Sequence, residues 1–195
     1  MSGKRGVTLR AQWLGKHLRE LRERAGLTLK EAGELQTRDY MEAVIRAESS
    51  DATDEQVDRW VDFRLTRQEV FSDESPRLSM VLDEYALRRP VGGPEVMRAQ
   101  LTHLAKHASA PNIEIRVLPL SAGAHASPDG AFRIFQLPQP FPAIAYVPTP
   151  AGAIYVEGES TDMLKLKYDR IRRKALSAEE SLRLISAVTE SLANV

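Results

Sequence analysis

The side chains with chemical reach are few and scattered along this chain. His125 stands in SAGAHASPDG, a loop of small residues between two strand-like segments. Glycines there let the backbone approach a ligand, and Asp129 is placed to orient an imidazole. A plainer reading is a turn in which His125 caps a strand end and Asp129 forms an Asx turn with Gly130. His103 and His107 lie four apart on a helical segment, a spacing at which two imidazoles can share a metal. The HxxxH pattern lacks the intervening Glu of a zinc hydrolase, no third ligand is fixed by spacing, and Lys106 opposes a cation, so helix surface polarity explains the pair better. Arg88 and Arg89 precede a VGGP loop, Tyr146 and Tyr155 fall on strand-like segments, and Glu157 and Glu159 stand at a strand end. A ligand pocket at strand ends recruits such groups, and a solvated rim carries them too. Paired carboxylates do acid–base work only where burial separates their pKa values. His125 and Asp129 are therefore the catalytic candidates. With Arg88, Arg89, Tyr146, Tyr155 and Glu157 they make up the ligand-binding candidates, and no metal ligand, cofactor or DNA-contacting residue is assigned.

Much chemistry is excluded by what is missing from the sequence. There is no serine nucleophile elbow, phosphate-binding Gly loop or dinucleotide fingerprint. Zero cysteines remove disulfides, thiol nucleophiles and thiolate metal sites. The balance leans against an enzyme. No apolar run approaches a membrane span, and Met1 to Leu9 lacks the apolar stretch of a signal peptide, so a soluble, cytoplasmic protein with no membrane partner is expected.

The elements that must hold these groups follow from periodicity. Leu35 to Ala47 is helical by pattern, with Tyr40, Val44 and Ala47 on one face and Met41 and Ile45 beside them. From Asp54 to Phe71, Val57, Trp60, Val61 and Leu65 form an expected core stripe, Trp60 reading as a buried aromatic. Leu78 to Leu82 is a short apolar run that reads as a buried strand. Pro94 suits a first helical position, Val96, Leu101, Leu104 and Ala108 mark the inner face of the helix it opens, and Ile113, Ile115 and Val117 alternate inward as a second strand. Strand, helix, strand over this distance predicts a parallel pair with a right-handed crossover. Phe132 to Leu137, Ala143 to Val147 and Ala153 to Glu157 are three more strands, joined by short Pro- and Gly-rich links that favour antiparallel pairing. Helices over Asp162 to Ala175 and from Ser177, with a Ser177–Glu180 capping box, close the chain. The expectation is an α/β or α+β domain, a mixed sheet of about five strands flanked by helices over residues 35–195, with a helical appendage over residues 1–34.

That appendage carries a second kind of signal. Leu14 to Glu34 spaces Leu14, Leu18 and Leu21 on one helical face, breaks at Gly26 and restarts with a Thr28–Glu31 capping box, which suits the first half of a helix-turn-helix. Residues 1–34 hold eight basic and four acidic side chains, a net of +4, in a chain whose formal net charge is +0. The helix that follows is a poor reader of DNA. From Thr37 to Glu48 two arginines face three carboxylates, a net of −1, where phosphate contact needs positive charge.

Several long phrases together resemble one family: Leu14 to Glu34, LQTRDYMEAVIRA, VLDEYALRRPVGGPEVMRAQLTHL, NIEIRVLPLSAGAHASPDGAF and YVPTPAGAIYVEGES. They look like the actinobacterial Xre-type regulators, which join an N-terminal helix-turn-helix to a C-terminal domain of poorly defined function, some of them antitoxin-like and paired with a small protein. The resemblance covers nearly the whole chain and departs from the family at Glu34. Relatives place several dozen residues, the recognition helix among them, where Glu34 here meets Leu35 directly. The resemblance thus implies a regulator with a truncated DNA-binding half, whose partner is a small molecule or a small protein and for which DNA is a doubtful target. The Leu14, Leu18, Leu21 face then packs on the body or on a second subunit, as in a homodimer. Two other readings stand beside it: a working DNA-binding regulator, and a family domain turned to catalysis on a natural product through His125 and Asp129.

Overall fold

The computed structural model describes residues 35–68, 77–149 and 152–192. The basic arm, the Leu14–Glu34 helices and Glu34 itself lie outside the described residues, as does Phe71 at the end of the expected second helix.

The first described elements are helices α1 (Arg38–Glu48) and α2 (Asp54–Gln68). Met41 and Ile45 of α1 and Val57 and Val61 of α2 close a small apolar cluster, with Ala52 and Leu65 at its margin. The apolar residues of α1 are buried to different degrees. Met41 and Ile45 are buried, Tyr40 and Val44 are half-buried, and Ala47 is exposed. The cause is that α1 serves two neighbours, turning Met41 and Ile45 to α2 while Tyr40 packs on the main core beside Leu35. Trp60 departs from the expected buried aromatic, being 37% exposed. Val57 and Val61, four apart, already fill the inward stripe of α2, and Trp60 stands at its edge.

The body follows as β1 (Leu78–Asp83), α3 (Glu84–Arg88), α4 (Pro94–His107) and β2 (Ile113–Leu118). β1 and β2 pair in parallel from Leu78↔Ile113 to Asp83↔Leu118, as the strand–helix–strand pattern required. Ile113, Ile115 and Val117 point to one face and meet Met97, Leu101 and Leu104 of α4 and Ile185 and Val188 of a C-terminal helix in the main core. Val96 lies at the border of this face, half-buried, and Ala108 caps α4. The side chain of buried Gln100 ties α1 to this body: its Nε2 donates to the Leu35 carbonyl at 2.7 Å and its Oε1 accepts from the Thr37 amide at 2.7 Å.

After a 3-10 turn at Leu120–Ala122 come β3 (Arg133–Phe135), β4 (Ile144–Thr149) and β5 (Gly152–Val156), an antiparallel meander in the order β3-β4-β5. Helices α5 (Glu159–Lys174) and α6 (Ala178–Ser191) complete the described chain, α6 with the expected Ser177–Glu180 capping box. The class is mixed α and β, with five strands flanked by six helices among the described residues. The strands divide into a parallel pair and an antiparallel trio. What separates them is the far side of β2. Leu176 N donates to the Val117 carbonyl at 2.9 Å, and Val117 N donates to Ser181 Oγ at 2.8 Å. The Val117 amide and carbonyl, which would otherwise bind another strand, are thus taken by the entry to α6.

Candidate functional site

The structure brings the sequence-selected residues to several places rather than one. Arg88 is a structural clamp. Its Nε donates to Glu84 Oε1 at 2.8 Å, while Glu84 Oε2 accepts from the Leu120 amide at 2.8 Å. Glu84 is buried, and the Leu120 amide first and Arg88 second hold its carboxyl below the usual range. The clamp fixes the turn after β2 to the helix after β1.

Arg89 stands at an open cleft of about 500 Å³ lined by Tyr40, Asp83, Tyr85, Ala86, Arg89 and Leu120. Its guanidinium lies over the Tyr85 ring, 4.9 Å from the centroid. Burial pushes the Tyr40 hydroxyl pKa up, and the Arg89 charge partly offsets that. Asp83 closes β1 and Leu120 follows β2, so the cleft sits at the carboxyl ends of the two parallel strands, a place where α/β sheets receive ligands.

His125 stands on the other flank of the same turn. With Ala124, Ala126, Arg170, Arg173 and Lys174 it lines a second open cleft of about 350 Å³. Lys174 Nζ donates to the Ala124 carbonyl at 2.7 Å and to the Ala122 carbonyl at 3.4 Å, tying the loop to the last turn of α5. His125 Nδ1 accepts from the Ser127 amide at 3.3 Å, which leaves Nε2 as the nitrogen that can donate. Asp129 does not orient this ring. It is exposed, and its Oδ2 lies 3.7 Å from Lys167 Nζ instead. The local turn is built by serine, with Ser127 Oγ donating to the Gly130 carbonyl at 2.6 Å. His125 and Asp129 thus have separate partners, Ser127 and Lys167.

Tyr146 and Tyr155 face each other across β4 and β5 with ring centroids 5.3 Å apart, Tyr146 buried and Tyr155 exposed at the sheet edge. Arg133 lies 5.8 Å from the Tyr146 ring centroid. These are cross-strand contacts of one face. Glu157 lies just beyond β5, and Glu157 and Glu159 are both exposed, without the burial that an acid–base pair requires. His103 and His107 stack edge to face at 4.4 Å, and burial lowers the pKa of each. Among the described residues no group of three or more His, Cys, Asp or Glu could hold a metal ion.

Two features escaped the sequence reading. The first is a polar network on α5, where Arg172 holds Glu114 with Nη2 at 2.9 Å from Oε1 and Nε at 3.2 Å from Oε2. Ser79 Oγ donates to Glu114 Oε2 at 2.6 Å, Arg116 Nε donates to Oε1 at 3.0 Å, and Tyr168 reaches Ser79 at 2.7 Å. Arg172 chiefly, then Ser79 and Arg116, hold the Glu114 carboxyl down at about 2. The second feature is the basic side of the His125 cleft. Its signal was the run KYDRIRRK, whose Arg170, Arg173 and Lys174 share one helical side at spacings of three and four.

The fold and clefts define a mixed α/β domain with concave surfaces around the loop that follows its parallel strands. The chain belongs to a family described as a domain of unknown function (DUF5753), whose model matches residues 32–187. No curated protein and no solved structure matches the chain. No described helix is long and apolar enough to cross a membrane.

Proposed function

We propose that this protein is a regulator of the Xre-like kind that works by binding a small molecule or a protein partner through its 35–195 domain, and not by reading DNA. The observation that carries the reading is the state of α1, the helix standing where a recognition helix would. Both of its arginines are already spent on carboxylates. Arg38 pairs with Asp62 and lies 3.6 Å from Asp58, while Arg46 pairs with Glu42 and Asp54, each at 2.9 Å. Its apolar side is sunk in the cluster with α2. A helix that offers no free cation gains little from phosphates and cannot turn its buried side to base edges.

The clefts on either side of the Leu120–Ala126 loop support binding as the retained activity, since they gather polar groups at strand ends. The family match, from residue 32 to residue 187, takes in α1 together with the residues that line both clefts. The test pairs a mobility-shift assay on the protein's own promoter with a thermal-shift screen of small molecules and candidate partner proteins. The expected result is no sequence-specific shift, together with a rise in melting temperature on binding. A specific, steeply salt-dependent operator complex would overturn the reading.

A further inference from the structure

We infer that the cleft between the His125 loop and the end of α5 is a binding site for a phosphate group. The inference deepens the ligand-binding reading above and rests on it. Every charged or titratable side chain lining this cleft is basic: His125, Arg170, Arg173 and Lys174. Among the described residues neither Arg170 nor Arg173 is engaged in an ion pair or hydrogen bond, whereas their neighbour Arg172 holds Glu114 through Nε and Nη2 and Lys167 lies beside Asp129.

A preference for cations at a helix C-terminus accounts for part of this run, because it favours positive charge in the last turn. It does not account for Arg170, which precedes the final turn of α5, nor for a loop that delivers an imidazole to the same place. Lys174 is already committed by its two carbonyl contacts, which position the loop and leave its charge at the rim of the cleft. With Nδ1 accepting from the Ser127 amide, the N–H of the neutral His125 ring is on Nε2. Two forked guanidinium groups and an imidazole N–H offer more donors than one carboxylate can absorb. A phosphate, with three strong acceptor oxygens and close to two charges, matches them. The open mouth and volume of about 350 Å³ suit a small phosphorylated compound or the free anion.

The experiment titrates the full chain by calorimetry with inorganic phosphate and with a nucleoside monophosphate, and with sodium acetate at equal ionic strength as the control. NMR of the histidine ring signals runs in parallel, with His125→Gln assigning its resonance. Saturable one-to-one binding that moves the His125 signal is expected, weakened at least tenfold in the double variant R170Q/R173Q. Binding of the ester and of free phosphate with equal affinity marks the free anion as the ligand; a tighter ester marks a phosphorylated metabolite. A response matched by acetate, or unchanged in the double variant, overturns the inference, as does duplex DNA binding that displaces the ester and is lost in the same variant. If phosphate is silent while other compounds raise the melting temperature, this inference fails and the regulatory reading stands. A specific operator shift removes the regulatory reading whatever phosphate does.

Discussion

At the scale of single residues, the best-supported side chains are those with the most complete set of partners. Glu114 accepts from Arg172, Arg116 and Ser79 while most of its own side chain is shielded. Its folded pKa of about 2 lies below the ordinary 4.5, so the unfolded chain takes up a proton first as pH falls. The stabilisation is therefore complete above about pH 4.5 and disappears as pH falls towards 2. Glu114→Gln is expected to lose about 1–2 kcal/mol at pH 7, a figure kept low because Arg172 is partly open to solvent. Denaturant unfolding of both proteins at pH 7 and pH 2.5 measures this, and the gap should narrow sharply in acid; a gap indifferent to pH would show that the carboxylate charge contributes nothing. The residue scale is also where sequence reading was weakest. His125 and Arg89 were visible by type and lie at clefts, but Glu114 and Arg172 are 58 residues apart and meet only because α5 crosses the back of β2. Spacing along the chain carries no record of such a meeting.

At the scale of elements, local pattern predicted well and contact between elements did not. The inward alternation of Ile113, Ile115 and Val117, the Pro94 start of α4 and the Ser177–Glu180 box are each local, and each is present. Trp60 was misplaced because periodicity names a stripe without saying how wide a neighbour will cover it. The VGGP loop shows the same limit from the other side. Gly92 has φ of +71°, and a Cβ there would come within 2.8 Å of Val96 Cγ1 and 3.1 Å of Ala43 Cβ on α1. Two glycines in a loop suggest a turn, and nothing in the sequence says that one of them is where a helix presses against it. Gly92→Ala is expected to cost about 1–3 kcal/mol, combining backbone strain with displacement of α1. Gly93, with φ of +92° and no atom within 4 Å of an added Cβ, isolates the backbone share in Gly93→Ala. Urea midpoints of the two variants compare them, and equal losses would mean that α1 does not press on the loop.

At the scale of the whole molecule, charge is divided in a way the zero net charge conceals. Residues 1–34 hold a net of +4, and the rest balances it. Long-range attraction of such an arm to a polyanion is sequence-independent and falls steeply with salt. The full chain is therefore expected to associate with random and promoter DNA equally at about 50 mM salt and to lose both by about 200 mM, as anisotropy would record. A preference for promoter sequence surviving at the higher salt would contradict the neutralised state of α1. One further consequence belongs to the closed side of β2. Ser181 Oγ and Leu176 N occupy the Val117 amide and carbonyl, so the start of the C-terminal helix covers this point of the β2 edge. A chain ending before residue 176 is expected to lose both bonds and leave the Val117 backbone open to pairing with other chains, which light scattering of the shortened protein would record.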